Sequence, residues 1–147
     1  MNGYSILLKS TPDKPSLKYI GLALNWNSKY FDGCVNIYGK DSWVWFIYHV
    51  KTDTIVGFAT MRYFECSDCG FLSRVAIVPS HRGKGLQRQA IQRRIAYARR
   101  LDWSGLLTYT VDDGYASINS LMHTGFSMYY PDYAWEGREM LYFRYLF

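Results

Sequence analysis

The chain has 147 residues, of which 49% are hydrophobic, 18% aromatic and 20% charged, and its net charge at pH 7 is +5. This length and composition exclude a disordered or fibrous protein and predict a single compact domain over residues 1–147. Because no run of 18 apolar residues and no signal-peptide pattern occurs, we expect no membrane association and a cytoplasmic location.

The first half of the chain changes from an irregular pattern to strands. Within residues 1–40, STPDKPS predicts turns and LKYIGLALNW, residues 17–26, predicts a short helix. Two aromatic and β-branched runs separated by KTDT predict a β-hairpin over residues 43–64. FLSRVAIV then predicts a third strand, which ends before Pro79.

The second half of the chain alternates helices and strands. After Gly85, apolar residues recur at helical spacing and basic residues fall mostly on the other side, which predicts an amphipathic helix of about four turns. GLLTYTV (105–111) predicts a strand reached by a right-handed parallel crossover. ASINSLMHTGF predicts a second helix closing on Gly125, and EMLYFRYLF predicts a final strand. The order of elements predicts an α/β domain with a mixed sheet and helices on both faces. The apolar positions of the first of these helices are Leu86, Ala90, Ile91, Ile95, Ala98 and Leu101, and the basic positions opposite are Arg88, Arg93, Arg99 and Arg100.

The three cysteines do not form a disulfide framework. An odd number cannot pair completely within the chain, and reduced thiols fit a reducing compartment. Cys66 and Cys69 form one C-x-x-C motif, but zinc would need two further ligands, and neither Cys34 nor the histidines have a matching spacing. We therefore expect a polar loop between two strands here, and no metal.

A basic segment with two glycines follows the third strand. Seven of the 17 Lys and Arg residues lie between Arg82 and Arg100, with no Asp or Glu among them. This density indicates either a nearby anionic ligand or a solvated helix face. Gly83 and Gly85 precede the helix, whose first N–H groups lack partners and whose N-terminus is electropositive. A phosphate site is compatible with this arrangement, although a plain tight turn can have the same spacing.

Four segments in order carry a more specific signal. They are the strand VAIVP (75–79), the loop RGKGLQ (82–87), the strand LLTYTV (106–111) and the helix with a closing Gly-Phe, GYASINSLMHTGF (114–126). Their order and spacing resemble the signature of the GCN5-related N-acetyltransferase (GNAT) superfamily over about residues 43–147. The resemblance implies a GNAT-like mixed, mostly antiparallel twisted sheet with helices on both faces and a β-α-β coenzyme-binding core. It also implies an N-acetyltransferase that uses acetyl-CoA as co-substrate.

The resemblance further implies which residues hold the coenzyme. The loop amides would receive the diphosphate, and backbone groups of the preceding strand, at Ile77 above all, would pair with the pantetheine arm. The chain departs from the family at Gln87, where Gly or Ala is usual, and at Gly114, where Asn is common. The residues assigned to coenzyme binding are Val75, Ile77, Val78, Arg82, Gly83, Lys84, Gly85, Leu86, Gln87 and Ser117.

The resemblance does not identify the catalytic residues as directly as it identifies the coenzyme-binding residues. An amine with a pKa near about 10.4 must lose a proton before it attacks a thioester. The family frequently uses a Glu as base and a Tyr as acid, and the corresponding positions hold Phe71 and Leu121. A backbone N–H of the strand could polarise the thioester carbonyl without a side chain. Substitute bases are Glu65, Asp68, Asp112 and Asp113, and substitute acids are Tyr109 and Tyr115, although each of these also fits an exposed loop carboxylate or a packed tyrosine.

Arg74 completes the candidate catalytic set of Arg74, Tyr109 and Asp112. An arginine in this strand either extends outward or holds an anionic substrate group. Arg74 and Asp112 are also similar in placement to residues of phage DNA-modifying proteins of the Mom type, which have a related fold.

Three functions therefore stay open. The first is an acetyl-CoA-dependent N-acetyltransferase acting on an amine of a small molecule or protein. The second is an enzyme of this fold that modifies a nucleobase, with nucleic acid as partner, and the third is a non-catalytic binding module. The aromatic stretch MYYPDYAW suggests a wall around the acceptor, whose identity the sequence does not give. The oligomeric state is also open, with a homodimer as one alternative.

Overall fold

The computed structural model describes residues 3–31 and 42–147. These residues form one seven-stranded sheet packed against α-helices. The helices are α1 (Leu17–Tyr30), α2 (Leu86–Arg100) and α3 (Tyr115–His123). The strands are β1 (Tyr4–Ser10), β2 (Ser42–His49), β3 (Thr54–Phe64), β4 (Cys69–Ile77), β5 (Gly105–Val111), β6 (Ser127–Tyr129) and β7 (Met140–Leu146). Short 3-10 turns occupy Glu65–Ser67 and Pro79–His81.

The helices cover both faces of the sheet. The strand order is β1-β2-β3-β4-β5-β7-β6, with β4 and β5 parallel and the other neighbours antiparallel. Val44 and Phe46 of β2 are buried against α1, whereas Trp43 and Trp45 belong to the core that includes α2 and α3. Because successive side chains of a strand point to opposite faces, these two cores lie on opposite sides of the sheet. The predicted mixed, mostly antiparallel sheet with helices on both faces is confirmed. Among the described helices, none has the length and apolar character needed to cross a bilayer.

The N-terminal part is more regular than its sequence indicates. β1 was not predicted, yet it pairs along β2 and buries Tyr4 and Ile6. α1 continues beyond residue 26 to Tyr30, and the Ser16 side chain caps its start by accepting a hydrogen bond from the Tyr19 N–H. Partners distant in the chain supply the stability of β1, which explains why a local pattern missed it. Cys34 and the rest of residues 32–41 lie outside the described residues.

The second half follows the predicted elements closely. β5 has the predicted bounds, and the predicted apolar positions of α2 are buried with the exception of Leu101. Leu101 is 36% exposed because α2 ends at Arg100, and Asp102 then adopts a left-handed φ of 63°. The C-x-x-C motif begins in the turn before β4, where Cys66 is exposed, and ends at Cys69, which is buried as the first residue of β4.

β4 and β5 pair at one end and then separate. Their parallel register covers only Cys69–Phe71 with Gly105–Leu107. On the other side of β4, Thr60 faces Arg74 and Met61 faces Leu72, so that Ser73 is an extra residue in the register between β3 and β4. Such a bulge bends a strand. The separated halves of β4 and β5 form the walls of a cleft in the middle of the sheet.

Candidate active site

The loop before α2 presents unpaired backbone donors. The N–H groups of residues 83–88 donate no backbone hydrogen bond to any other described residue. Gly83 and Gly85 have φ angles of 75° and 77°, in the left-handed region that glycine adopts without strain. A Cβ built on either glycine would meet no described heavy atom within 4 Å, so the loop surface is open at both positions. Unpaired N–H groups at the N-terminus of a basic helix form an anion-binding surface.

Arg82 fastens this loop to the end of β4. Its Nε donates a 2.8 Å hydrogen bond to the carbonyl oxygen of Ile77. The N–H of Val78 donates to the carbonyl of Val56 at 2.9 Å. These backbone groups of Ile77 and Val78 are therefore engaged within the protein, whereas Val75 lines the cleft between β4 and β5.

The cleft has a volume of about 310 Å³ and combines residues from five elements or their ends. It brings together five of the predicted site residues, namely Arg74, Val75, Gln87, Tyr109 and Ser117. Leu121, at the family's usual acid position, also lines it and is only 5% exposed. The other lining residues are Phe31, Leu72, Ser73, Ile91, Arg94, Thr108, Thr110 and Val111.

The Gln87 side chain connects α2 to α3. Its Nε2 donates to the Ser117 hydroxyl at 3.3 Å, and its Oε1 accepts from the Ser120 hydroxyl at 3.5 Å. The side chain that departs from the family pattern thus forms part of the wall between the two helices. It leaves the open surface at the two loop glycines uncovered.

Arg74 lies on the face of the sheet that α1 covers. Its guanidinium carbon is 4.7 Å from the centre of the Phe31 ring, a cation–π geometry. Its Nε is buried and has no hydrogen-bond partner among the described residues. Arg74 therefore lines the cleft with its guanidinium on the Phe31 ring and with its buried Nε unsatisfied within residues 3–31 and 42–147.

Tyr109 and Glu136 form a pair that sequence reasoning only half identified. Burial, followed by the nearby Glu136 carboxylate, raises the pKa of the Tyr109 hydroxyl, while the charge of Arg74 acts in the opposite direction. Glu136 lies in the β6–β7 loop, and its N–H donates to the Tyr142 hydroxyl at 2.9 Å. Its place directly after the aromatic stretch was the available signal, but the sequence did not show that this loop returns to β5.

Trp135 joins this loop to an aromatic wall on the sheet. Its ring centroid is 5.3 Å from that of Tyr109 and 5.1 Å from that of Tyr142. Phe71 stacks on Tyr109 at 5.8 Å, with 13° between the ring planes. Phe71, at the family's usual base position, is therefore part of a packed aromatic surface beside the cleft, and it carries no proton-transfer group.

The remaining carboxylates considered from the sequence lie away from this cleft. Asp112 is exposed and lines a different cavity of about 580 Å³, formed with the β6–β7 loop. Glu65 and Asp113 are exposed and line neither cavity. Asp68 accepts hydrogen bonds from the hydroxyls of Tyr63 at 2.7 Å and Ser104 at 2.8 Å, which indicates a structural role. The structure thus brings Arg74 and Tyr109 to one cleft and Asp112 to another cavity.

Two further observations concern possible metal ligands and the thiol of Cys69 among the described residues. No group of three or more His, Cys, Asp or Glu side chains in residues 3–31 and 42–147 is arranged to hold a metal ion. Burial raises the pKa of the Cys69 thiol, so this thiol stays protonated near neutral pH.

Comparisons with known proteins agree with this architecture. Spermidine N-acetyltransferase from Vibrio cholerae, in complex with CoA and spermine, is 12% identical with a TM-score of 0.68, covering 98% of this chain and 94% of that one. An acetyltransferase from Streptococcus agalactiae is 14% identical with a TM-score of 0.70, covering 100% of both chains. A candidate acetyltransferase from Salmonella typhimurium with its cofactor acetyl-CoA is 19% identical with a TM-score of 0.68, covering 99% of this chain and 94% of that one.

The solved structures at these identities establish the fold, and the family follows from the sequence. Comparison with curated proteins finds no significant match. The profile of the Acetyltransferase (GNAT) family, in contrast, matches residues 18–126, which is most of the chain. The protein therefore belongs to the acetyltransferase (GNAT) family.

Proposed function

We propose that this protein transfers an acetyl group from acetyl-CoA to an amine of a small molecule or protein. The observation that supports this most directly is the run of backbone N–H groups at residues 83–88 that donate no backbone hydrogen bond to another described residue. They lie at the N-terminus of the basic helix α2, beside the cleft. These donors, with open space at Gly83 and Gly85, fit a diphosphate. Acetyl-CoA supplies the activated acetyl group as a thioester.

The coenzyme arm fits the space between the separated strands. Val75 on β4, with Gln87 and Ser117 on the helices, lines the cleft on the way from the loop to the middle of the sheet. Val75 and Ile91 contribute apolar surface, and the hydroxyl of Ser117 and the amide of Gln87 contribute polar groups. We assign these residues to the pantetheine arm and the amides of residues 83–88 to the diphosphate.

Tyr109 and Glu136 carry the proton transfers in this proposal. The transfer forms an amide C–N bond and breaks the thioester C–S bond. The incoming ammonium loses two protons in all, one before it attacks and one as the amide forms, and the leaving sulfur gains one proton. Glu136 accepts the proton from the ammonium as general base. Tyr109 stays protonated at neutral pH because its pKa is raised. It passes a proton to the sulfur and regains one from the nitrogen as the amide forms. Arg74 orients the acceptor from the α1 side of the cleft.

The aromatic wall and one of the similar structures support a class of acceptor. The rings of Phe71, Tyr109 and Trp135 present a surface beside the cleft on which an apolar or aromatic part of an acceptor can lie. The V. cholerae relative binds spermine, and a primary amine is accordingly the first acceptor to test here. The nucleobase alternative was motivated by the basic surface and by Arg74 together with Asp112, and the separation of these two residues into different cavities removes the second of these supports.

Calorimetry with acetyl-CoA and CoA tests the proposal, together with mass spectrometry of a mixed amine panel incubated with acetyl-CoA. We expect binding of both ligands and at least one acetylated product. Absence of binding would contradict the proposal. Binding without any product would favour a non-catalytic module, and duplex DNA retention that falls steeply with salt would favour the nucleobase alternative. Native mass spectrometry of the same sample counts the subunits and tests for a homodimer.

A further inference from the structure

Arg94 is a basic residue on the buried side of α2. It is 2% exposed and is the largest fully buried side chain of the described residues. Its neighbours Arg93 and Arg88 on the same helix are exposed, as the amphipathic pattern predicts. Arg94 lies four residues after Ala90 and four before Ala98, so it shares the face that packs on the sheet.

The charge of Arg94 has no acidic partner in the described part of the chain. Its Nε donates to the Ala90 carbonyl at 3.1 Å and its Nη1 to the Thr60 carbonyl at 3.0 Å. Both acceptors are neutral. Burial alone lowers the pKa of Arg94, to about 9, which still leaves the guanidinium protonated at neutral pH. Buried arginines are normally paired with a carboxylate or phosphate, because an uncompensated buried charge is costly.

The unpaired charge lies at the cleft. Arg94 lines it on the α2 side, among the apolar residues Leu72, Val75 and Ile91. A charge surrounded by apolar side chains is poorly screened, so its effect on a group entering the cleft is larger than at the surface. The other titratable side chains lining the cleft are Arg74 and Tyr109.

We propose that Arg94 stabilises the negative charge that develops on the coenzyme sulfur as the acetyl group leaves. This inference rests on the proposed function, because it needs acetyl-CoA in the cleft. The ammonium first gives one proton to the base and then attacks as a neutral amine. When the C–S bond breaks, its electron pair goes to sulfur while the C–N bond is completed, and the second nitrogen proton then reaches the sulfur through Tyr109. Arg94 transfers no proton in this step. It acts through its fixed charge, and its hydrogen bond to Thr60 holds the guanidinium against the bulge between β3 and β4.

The test measures the pKa of the CoA thiol bound to the protein. The ultraviolet absorbance of the thiolate is followed with pH, and the desulfo-CoA complex serves as reference, so that the protein's own thiols cancel. In the wild-type protein, we expect the bound thiol pKa to lie below that of free CoA. Arg94→Met should raise it by about one unit, because an opposite charge nearby favours the ionised form, and should lower kcat about tenfold.

Arg93→Met is the matched control, since it removes the same charge from an exposed neighbour and should leave the bound thiol pKa unchanged. If Arg94 has only a structural role, Arg94→Met changes the unfolding temperature but not the pKa of the bound CoA thiol. That result would overturn the inference. If Arg94→Met does not fold, Arg94→Lys and Arg94→Gln test the same inference. We expect the pKa of the bound CoA thiol to stay lowered in Arg94→Lys, which keeps the charge, and to rise in Arg94→Gln. An equal pKa in both variants would overturn the inference. Failure of the wild type to bind CoA would instead overturn the proposed function, and this inference with it.

Discussion

Substitution of Gly85 by alanine separates the cost of backbone strain from the loss of phosphate binding. Gly85 has a φ of 77°, and an added Cβ meets no described heavy atom within 4 Å. The only cost to the folded protein is therefore left-handed strain, about 1 kcal/mol, or about 3 °C in unfolding temperature for a domain of this size. The methyl group does enter the space assigned to the diphosphate. Loss of one charge-assisted hydrogen bond, about 1.5 kcal/mol or more, weakens CoA binding about tenfold.

Gly3→Ala is the matched control. Gly3 has a φ of 79° and equally open space around a built Cβ, but it precedes β1 rather than α2. Differential scanning calorimetry should show a similar decrease in unfolding temperature for both variants, whereas titration calorimetry with CoA should show weaker binding only for Gly85→Ala. Equal CoA affinity in Gly85→Ala and the wild type would refute the assignment of the diphosphate to this loop.

Three further predictions concern side chains. Glu136→Gln should lower kcat by about a hundredfold, because the amide side chain cannot accept the ammonium proton. Steady-state assays measure this, and a kcat within twofold of the wild type would contradict the role of Glu136 as base. Tyr109→Phe should lower kcat about tenfold at neutral pH while CoA affinity by calorimetry stays unchanged; weakened CoA binding would instead indicate a packing role. The hydrogen bond from Tyr63, and to a smaller extent that from Ser104, lowers the pKa of Asp68 in the folded protein. The ionised Asp68 side chain therefore contributes its full stabilisation above the ordinary carboxyl pKa of about 3.9. This stabilisation is lost as the pH falls through the lower pKa of the folded protein. In urea titrations, Asp68→Asn should unfold at lower urea than the wild type at pH 7, with a difference that narrows below about pH 4, and a difference independent of pH would contradict this.

Local patterns were sufficient for most elements after residue 42, with β6 as an exception. The aromatic and β-branched runs in residues 43–64 and the helical period after Gly85 belong to single elements, so they are visible without knowledge of any partner. The glycine loop was predictable for the same reason, since its chemistry depends on backbone conformation over a few residues. β1 was missed because its stability comes from its pairing with β2, more than thirty residues away.

The composition of the cleft depended on contacts between distant segments. Arg74 and Tyr109 were predicted as candidates, but their common cleft with Gln87 exists because β4 and β5 separate after three paired positions. The same sheet geometry places Asp112 in another cavity, although in the sequence it lies only three residues from Tyr109. Glu136 approaches Tyr109 because the β6–β7 loop folds back over the sheet, with Trp135 packed on the same ring.

The sequence by itself determined the family, the order of the main elements and the open loop before α2, because these follow from short-range spacing and backbone preferences. Only the tertiary structure decided which charges are buried. The pattern of α2 did not single out Arg94, whose burial depends on the Thr60 carbonyl that holds it and on the cleft that it faces, and these come from β3, β4 and β5. Burial and electrostatic strength depend on what other segments place around a side chain, and no local period contains that information.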